Sequence, residues 1–201
     1  MSGDARAFYT ERLPAQVDRA LDDARAHGDA PGSLWARLRE VDAAIEARVG
    51  DERYFLAIEA GRMRATAAPA APPFLTIVHE GNSFGALERA AGDSALGFLG
   101  AVAGLGRELR LTKRRVDELR RVEGCVGLTV RGEGGFALRT HFGSGAPPDE
   151  AHCRIALDAD VFAALRAGET DAESAFLAGR VDIEGDVQKA MQLAVAILAD
   201  D

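Results

Sequence analysis

The 201-residue chain predicts an α+β fold, a mixed and largely antiparallel β-sheet covered by helices. Three observations predict it. Apolar residues recur at helical spacing at both ends, over 5–27 and 186–198. Between them the period changes to two in paired segments joined by Gly-containing turns: Tyr54–Ile58 with Arg62–Thr66, and Cys125–Val130 with Phe136–Phe142. After each pair come a Pro-containing linker, a third strand and two short helices, in the same order.

In 5–27, Phe8, Leu13, Val17 and Leu21 lie four or five apart, and Pro14 kinks or restarts the helix. His27–Gly32 breaks it. Ser33 caps a second helix, on which Leu34, Leu38, Val41 and Ile45 are three or four apart; Gly50 ends it and Trp35 anchors it in the core. The hairpin around Ala60-Gly61 follows, then the linker Ala67–Pro73 and the strand Phe74–Val78, rich in β-formers. Helices are expected near 83–91 and 94–101, and a short strand, 108–111, runs into a basic helix reaching Val122. A strand at 125–130, a turn at Gly132–Gly135 and the returning strand 136–142 come next. A Gly/Pro loop leads to the strand 152–157. Helices near 160–167 and 172–177, a strand 180–184 and a helix 186–198 close the chain.

The two halves share more than element order. Ala71-Pro72-Pro73 and Ala146-Pro147-Pro148 precede the third strand of each; Phe84-x-Ala86-Leu87 recurs as Phe162-x-Ala164-Leu165; Phe98-Leu99 and Phe176-Leu177 each lie fourteen residues further on. Tandem related modules, one elaborated domain, and chance in an Ala-rich chain all remain open. The tandem reading divides the chain into an N-terminal helix and connector (1–32), a first and degenerate module (33–105) and a second module (106–201).

Composition bounds the function. Hydrophobic residues make up 47% and charged residues 28%, an ordinary globular balance. A formal net charge of −8 argues against non-specific nucleic-acid binding and against docking on anionic lipid. Arg107, Arg110, Lys113, Arg114, Arg115, Arg120 and Arg121 crowd one stretch. They read as a solvated helix face paired with Glu108, Asp117 and Glu118, or as a patch for anionic headgroups or an acidic partner. Cys125 and Cys153 have no CxxC spacing and read as reduced core thiols of a cytoplasmic protein. No signal peptide is visible, and the apolar stretch 94–105 is too short and Gly-rich to span a bilayer.

Catalytic signatures are absent from the sequence. Gly132-Glu-Gly-Gly135 lacks the Lys-Ser/Thr of a phosphate loop. His27, His79, His141 and His152 show no metal-ligand spacing. Ser83, Ser94 and Ser174 read as helix caps, and Asp158, Asp160, Glu169, Asp171 and Glu173 as capping or solubilising carboxylates. No cofactor is called for.

Three segments of the second half carry a family resemblance: Asp158-Ala-Asp-Val-Phe162-Ala-Ala-Leu165-Arg-Ala-Gly168, Ala175-Phe176-Leu-Ala-Gly179-Arg180, and Ile183-Glu-Gly185-Asp186. Together they resemble the sterol carrier protein type-2 (sterol-binding) domain. The opening Phe8–Pro14 is similar to the first helix of bacterial members. A family domain is about half as long as this chain. The resemblance implies a non-catalytic carrier that buries an apolar small molecule (a fatty acid, acyl-CoA or sterol-like lipid) in a cavity beneath the C-terminal helix. Phe162, Leu165, Phe176 and Leu177 would form one wall, and Met191, Ala194, Ile197 and Leu198 the other. Val187, Ala190, Met191, Ala194, Ile197 and Leu198 form the stripe that would face it; a stripe of this kind also suits a filled core. A structural or assembly module, a homodimer, or an accessory subunit to a lipid-metabolising enzyme are the other readings.

Overall fold

The expected N-terminal helix is realised in three consecutive pieces: α1 (Ala5–Ala7), a π-helical turn (Phe8–Arg12) and α2 (Leu13–Ala26), with Pro14 just after the π-helical turn. This computed structural model describes residues 4–81, 83–92, 95–102 and 109–198. Ser33 caps the next helix as expected, its hydroxyl accepting the Ala36 N–H. The helix itself, α3 (Leu34–Arg39), is much shorter than the spacing suggests. Residues beyond it form β1 (Ala43–Val49), followed by β2 (Glu52–Glu59), β3 (Arg62–Thr66) and β4 (Leu75–His79). Strand partners on both sides of β1 override the local helical pattern: Ile45 pairs with Leu56 of β2 and with Leu75 of β4. Trp35 is half-buried rather than a core anchor, with the Arg25 and Arg39 guanidinium groups 5.5 and 4.5 Å from its ring centroid.

Helices α4 (Phe84–Ala91), α5 (Ala95–Val102) and α6 (Lys113–Val122) follow. Residues 109–112 form no strand, contrary to the reading of 108–111, and residue 108 lies outside the described residues, as does Ser94. The basic stretch is ion-paired along α6, through Lys113 and Arg120 to Asp117 and Arg121 to Glu118. The second half contributes β5 (Gly124–Arg131), β6 (Phe136–Phe142), β7 (Cys153–Asp158), α7 (Ala159–Ala167), α8 (Ala172–Leu177), β8 (Val181–Gly185) and α9 (Val187–Leu198).

All eight strands join one open mixed sheet in the order β3-β2-β1-β4-β6-β5-β7-β8. One arrangement occurs twice within it. In β2-β1-β4 and in β6-β5-β7, an antiparallel hairpin has a third strand parallel to its first. Antiparallel pairing of β4 with β6 joins the two sets.

Directly paired residues share a face of the sheet, so the ladder sorts the side chains. One face carries the rungs Leu56–Ile45–Leu75–Phe142 and Tyr54–Ala47–Ile77–Thr140–Val126. These pack in a single apolar core with Phe8, Tyr9, Leu13, Phe84, Leu87, Phe98, Val116, Leu119, Phe162 and Leu193 from the helices. The other face carries the rung Phe55–Glu46–Thr76–His141–Cys125 and is covered by chain segments instead of helices. Pro69–Pro73 lie against Ala44 and Phe55, and the Arg139 guanidinium donates to the carbonyls of Pro148 and Asp149. The molecule is thus a two-layer α+β protein, with the helices on one side of the sheet.

Candidate functional site: an incompletely covered apolar face

The last strand pair is where the helical layer thins. Ile155 of β7 and Ile183 of β8 are direct partners on the helix-bearing face, yet both remain partly exposed, while Leu157 beside them is buried. α8 and α9 flank β8 in the chain and so stand at its two ends.

Local chemistry fixes each piece. α7 packs Phe162 edge-on to Phe136, ring centroids 5.3 Å apart, and ends at Gly168 in the left-handed conformation. Arg166 of α7 reaches across to donate to the carbonyls of Ala91 and Gly97, tying α7 to the α4–α5 corner. α8 is capped by Asp171, whose carboxylate accepts the Ser174 N–H at 2.8 Å; Ser174 is therefore capped and is not itself the cap. Ser83 makes no capping hydrogen bond either. Its hydroxyl donates to the Glu80 carbonyl and accepts the Ala137 N–H, tying α4 to β6. At the β8–α9 corner Gly185 has φ +85°, and a Cβ there would sit 2.5 Å from the His152 carbonyl oxygen. The chain turns there with the Asp186 N–H donating to that carbonyl, and the Asp186 carboxylate accepts the Lys189 N–H.

α9 is rotated differently from the predicted stripe. Ala190, Leu193 and Ala196 are buried, whereas Val187, Met191 and Val195 are 45, 64 and 69% exposed. Phe176 and Leu177 of α8 are 48 and 76% exposed. Among the described residues, these five are all of the exposed large hydrophobic side chains. A groove of about 370 Å³ runs between α6 and α9, lined by Glu118, Arg121, Val122, Met191, Val195 and Ala196, with Gln188 and Gln192.

The eight residues named from the sequence fall into separate environments. Phe162 and Leu165 are buried in the core, Phe176, Leu177 and Met191 face solvent, and Ala194 is partly buried. The side chains of Ile197 and Leu198 lie outside the described ones. Sequence reading missed Ile155, Ile183 and Val195 and placed Val187 on the stripe without naming it as a wall residue; for Val195, the apolar residues encircling α9 were the available signal.

The opposite face holds the polar groups. Glu46 is buried, and burial alone would raise its carboxyl, but hydrogen bonds from Arg48 and Arg53, 2.7 Å each, hold it below its ordinary value. Burial pushes the Cys125 thiol up and the imidazole of its ladder partner His141 down. A buried, protonated thiol of this kind is a weak nucleophile. Both cysteines are buried and unbonded, and they lie on opposite faces, since Cys153 pairs with Val126. No group of three His, Cys, Asp or Glu residues among the described ones is arranged to hold a metal, and no helix among them is long and apolar enough to cross a membrane.

Fold and surface together define a class: a helix-backed sheet with an unfinished apolar layer at its C-terminal end. Residues 107–197 match the model of the SCP-2 sterol transfer family, so the resemblance read from the three C-terminal segments is borne out over that stretch. Among solved structures, the chain is similar to the apo form of sterol carrier protein 2 from Yarrowia lipolytica, with 20% identity over 40% of this chain and 76% of that one and a TM-score of 0.32. It is also similar to sterol carrier protein 2 like 2 from Aedes aegypti, with 15% identity over 40% of this chain and 90% of that one and a TM-score of 0.29. No curated protein matches the chain.

Proposed function

We propose that this protein binds and carries an apolar small molecule without transforming it, on the surface around β8. The observation that carries this reading is the gathering of every described exposed large hydrophobic side chain into residues 176–195, at the two ends of a strand whose Ile183 is itself incompletely covered. Large apolar side chains left in solvent at both ends of one strand point to a surface that is covered in function. The match of the same segment to a sterol transfer family supports a lipid as the covering molecule. Each buried CH₂ contributes roughly 0.8 kcal/mol, so a long acyl chain or a sterol skeleton reaches micromolar binding with no specific polar contact. Specificity is accordingly broad across fatty acids, acyl-CoA and sterol-like lipids.

The doubled strand arrangement supports two related modules, 33–105 and 106–201, behind the N-terminal segment 1–32, with the ligand in the second. Two buried, unpaired thiols favour a reducing, cytoplasmic setting. Native mass spectrometry of freshly purified protein, with organic extraction of the same sample, tests the carrier reading. A stoichiometric apolar adduct is expected. A clean apo mass, with no uptake of added fatty acid, acyl-CoA or sterol, overturns it.

A further inference from the structure

We propose that the outward face of α9 docks a second copy of this chain, so that the α6–α9 groove of each protomer closes against the other. Three features of the face point to a copy of itself. First, the outward arc Val187, Gln188, Met191, Gln192 and Val195 carries no charge. The only charged residue of α9, Lys189, is turned inward and donates to the Val122 carbonyl at 2.6 Å. A helix face that stays in water ordinarily carries charged residues.

Second, Gln188 and Gln192 line the groove beside Met191 and Val195. A hydrocarbon ligand offers their amides no hydrogen bond. An amide both donates and accepts, so it pairs with another amide, and a two-fold axis through the face supplies one.

Third, the α6 wall of the groove presents both signs, Glu118 and Arg121, which pair with each other within the protomer. A two-fold operation sets Glu118 against the partner's Arg121 and the reverse, so the wall is complementary to itself. An anionic bilayer is a poor occupant of the same face: Glu118 sits in its wall, Asp182, Glu184 and Asp186 lead into the helix, and the chain's formal charge is −8. From Val187 to Val195 the ridge runs about 12 Å, a short contact that gives a reversible dimer. The inference rests on the carrier reading for what fills the closed groove, and on α9 itself for the docking.

Sedimentation velocity on the full chain, with and without oleate, tests it, with oleate uptake measured by native mass spectrometry on the same samples. A concentration-dependent dimer is expected that Met191→Glu converts to monomer; Met191 is exposed, and circular dichroism checks that the variant stays folded. Glu118→Arg and Arg121→Glu each weaken the dimer about tenfold, because the pair occurs twice by symmetry. Mixing the two variants restores it as a heterodimer. A monomer up to about 0.1 mM, a hundred times a micromolar Kd, with and without oleate overturns the inference. It does so while leaving the carrier reading intact if oleate still binds. A dimer that Met191→Glu abolishes but that takes up no oleate supports the docking and sinks the carrier reading. A dimer indifferent to Met191→Glu and to the charge variants overturns the assignment of this face.

Discussion

Acid should destabilise this protein through His79. His79 ends β4 on the helix-bearing face and is 4% exposed. Its Nε2 shares a 2.6 Å hydrogen bond with the hydroxyl of Tyr9, in the π-helical turn, and Phe84 packs against its ring. Its Nδ1 is buried without a protein partner. An imidazolium there would carry an unpaired N–H into an aromatic core, and burial pushes the pKa of His79 from 6.5 down to about 4. The unfolded chain therefore takes up the proton first. Stability is fully present above about pH 6.5 and is lost as pH falls toward about 4. The full gap corresponds to about 3 kcal/mol, of which about 2 kcal/mol falls between pH near 7 and pH near 5. Glu46, held below its ordinary value, adds its own loss only at lower pH; His141, lowered by burial, contributes in the same direction as His79. Urea unfolding of wild type and His79→Gln at both pH values reads the effect. The variant is expected to start less stable and to lose about 2 kcal/mol less on acidification. An equal loss in the two proteins, or an NMR titration of His79 with a midpoint near 6.5, refutes the reasoning.

Four further outcomes follow from the geometry. Phe162→Ala should cost about 3–5 kcal/mol in chemical denaturation, because it opens a void against Phe136. Phe176→Ala should move stability by less than about 0.5 kcal/mol yet weaken a fluorescent acyl probe, and unchanged probe affinity in both it and Met191→Trp counts heavily against the proposed ligand surface. Gly185→Ala should destabilise by more than about 1 kcal/mol and expose α9 to proteolysis, since the added Cβ meets the His152 carbonyl at a positive φ. Arg166→Met should lower Tm and speed hydrogen exchange in α4 and α5, because the carbonyls of Ala91 and Gly97 lose their charged donor at about 1–3 kcal/mol.

The sequence by itself determined the features written in local signals. Turn chemistry at Ala60-Gly61 and at 132–135 gave the hairpins, Ser33 and Asp186 gave helix starts, Gly168 gave a helix end and Gly185 the tight corner. The order from β7 to α9, and with it the family resemblance, follows from these neighbours in the chain. Tertiary structure decided what depends on distant partners. Residues 43–49 fit a helical spacing and became a strand because β2 and β4 pair with them from both sides. The row Glu46–Thr76–His141–Cys125 draws on four strands, between positions 46 and 141, and no spacing in the sequence announces it. α9 shows the limit most plainly. Val187, Ala190, Met191, Leu193, Ala194, Val195 and Ala196 place apolar side chains almost all the way round it, so periodicity could not choose a buried face. Packing against α6 and the sheet chose Ala190, Leu193 and Ala196. That choice left Val187, Met191 and Val195 outside, and so turned a presumed cavity wall into an open surface.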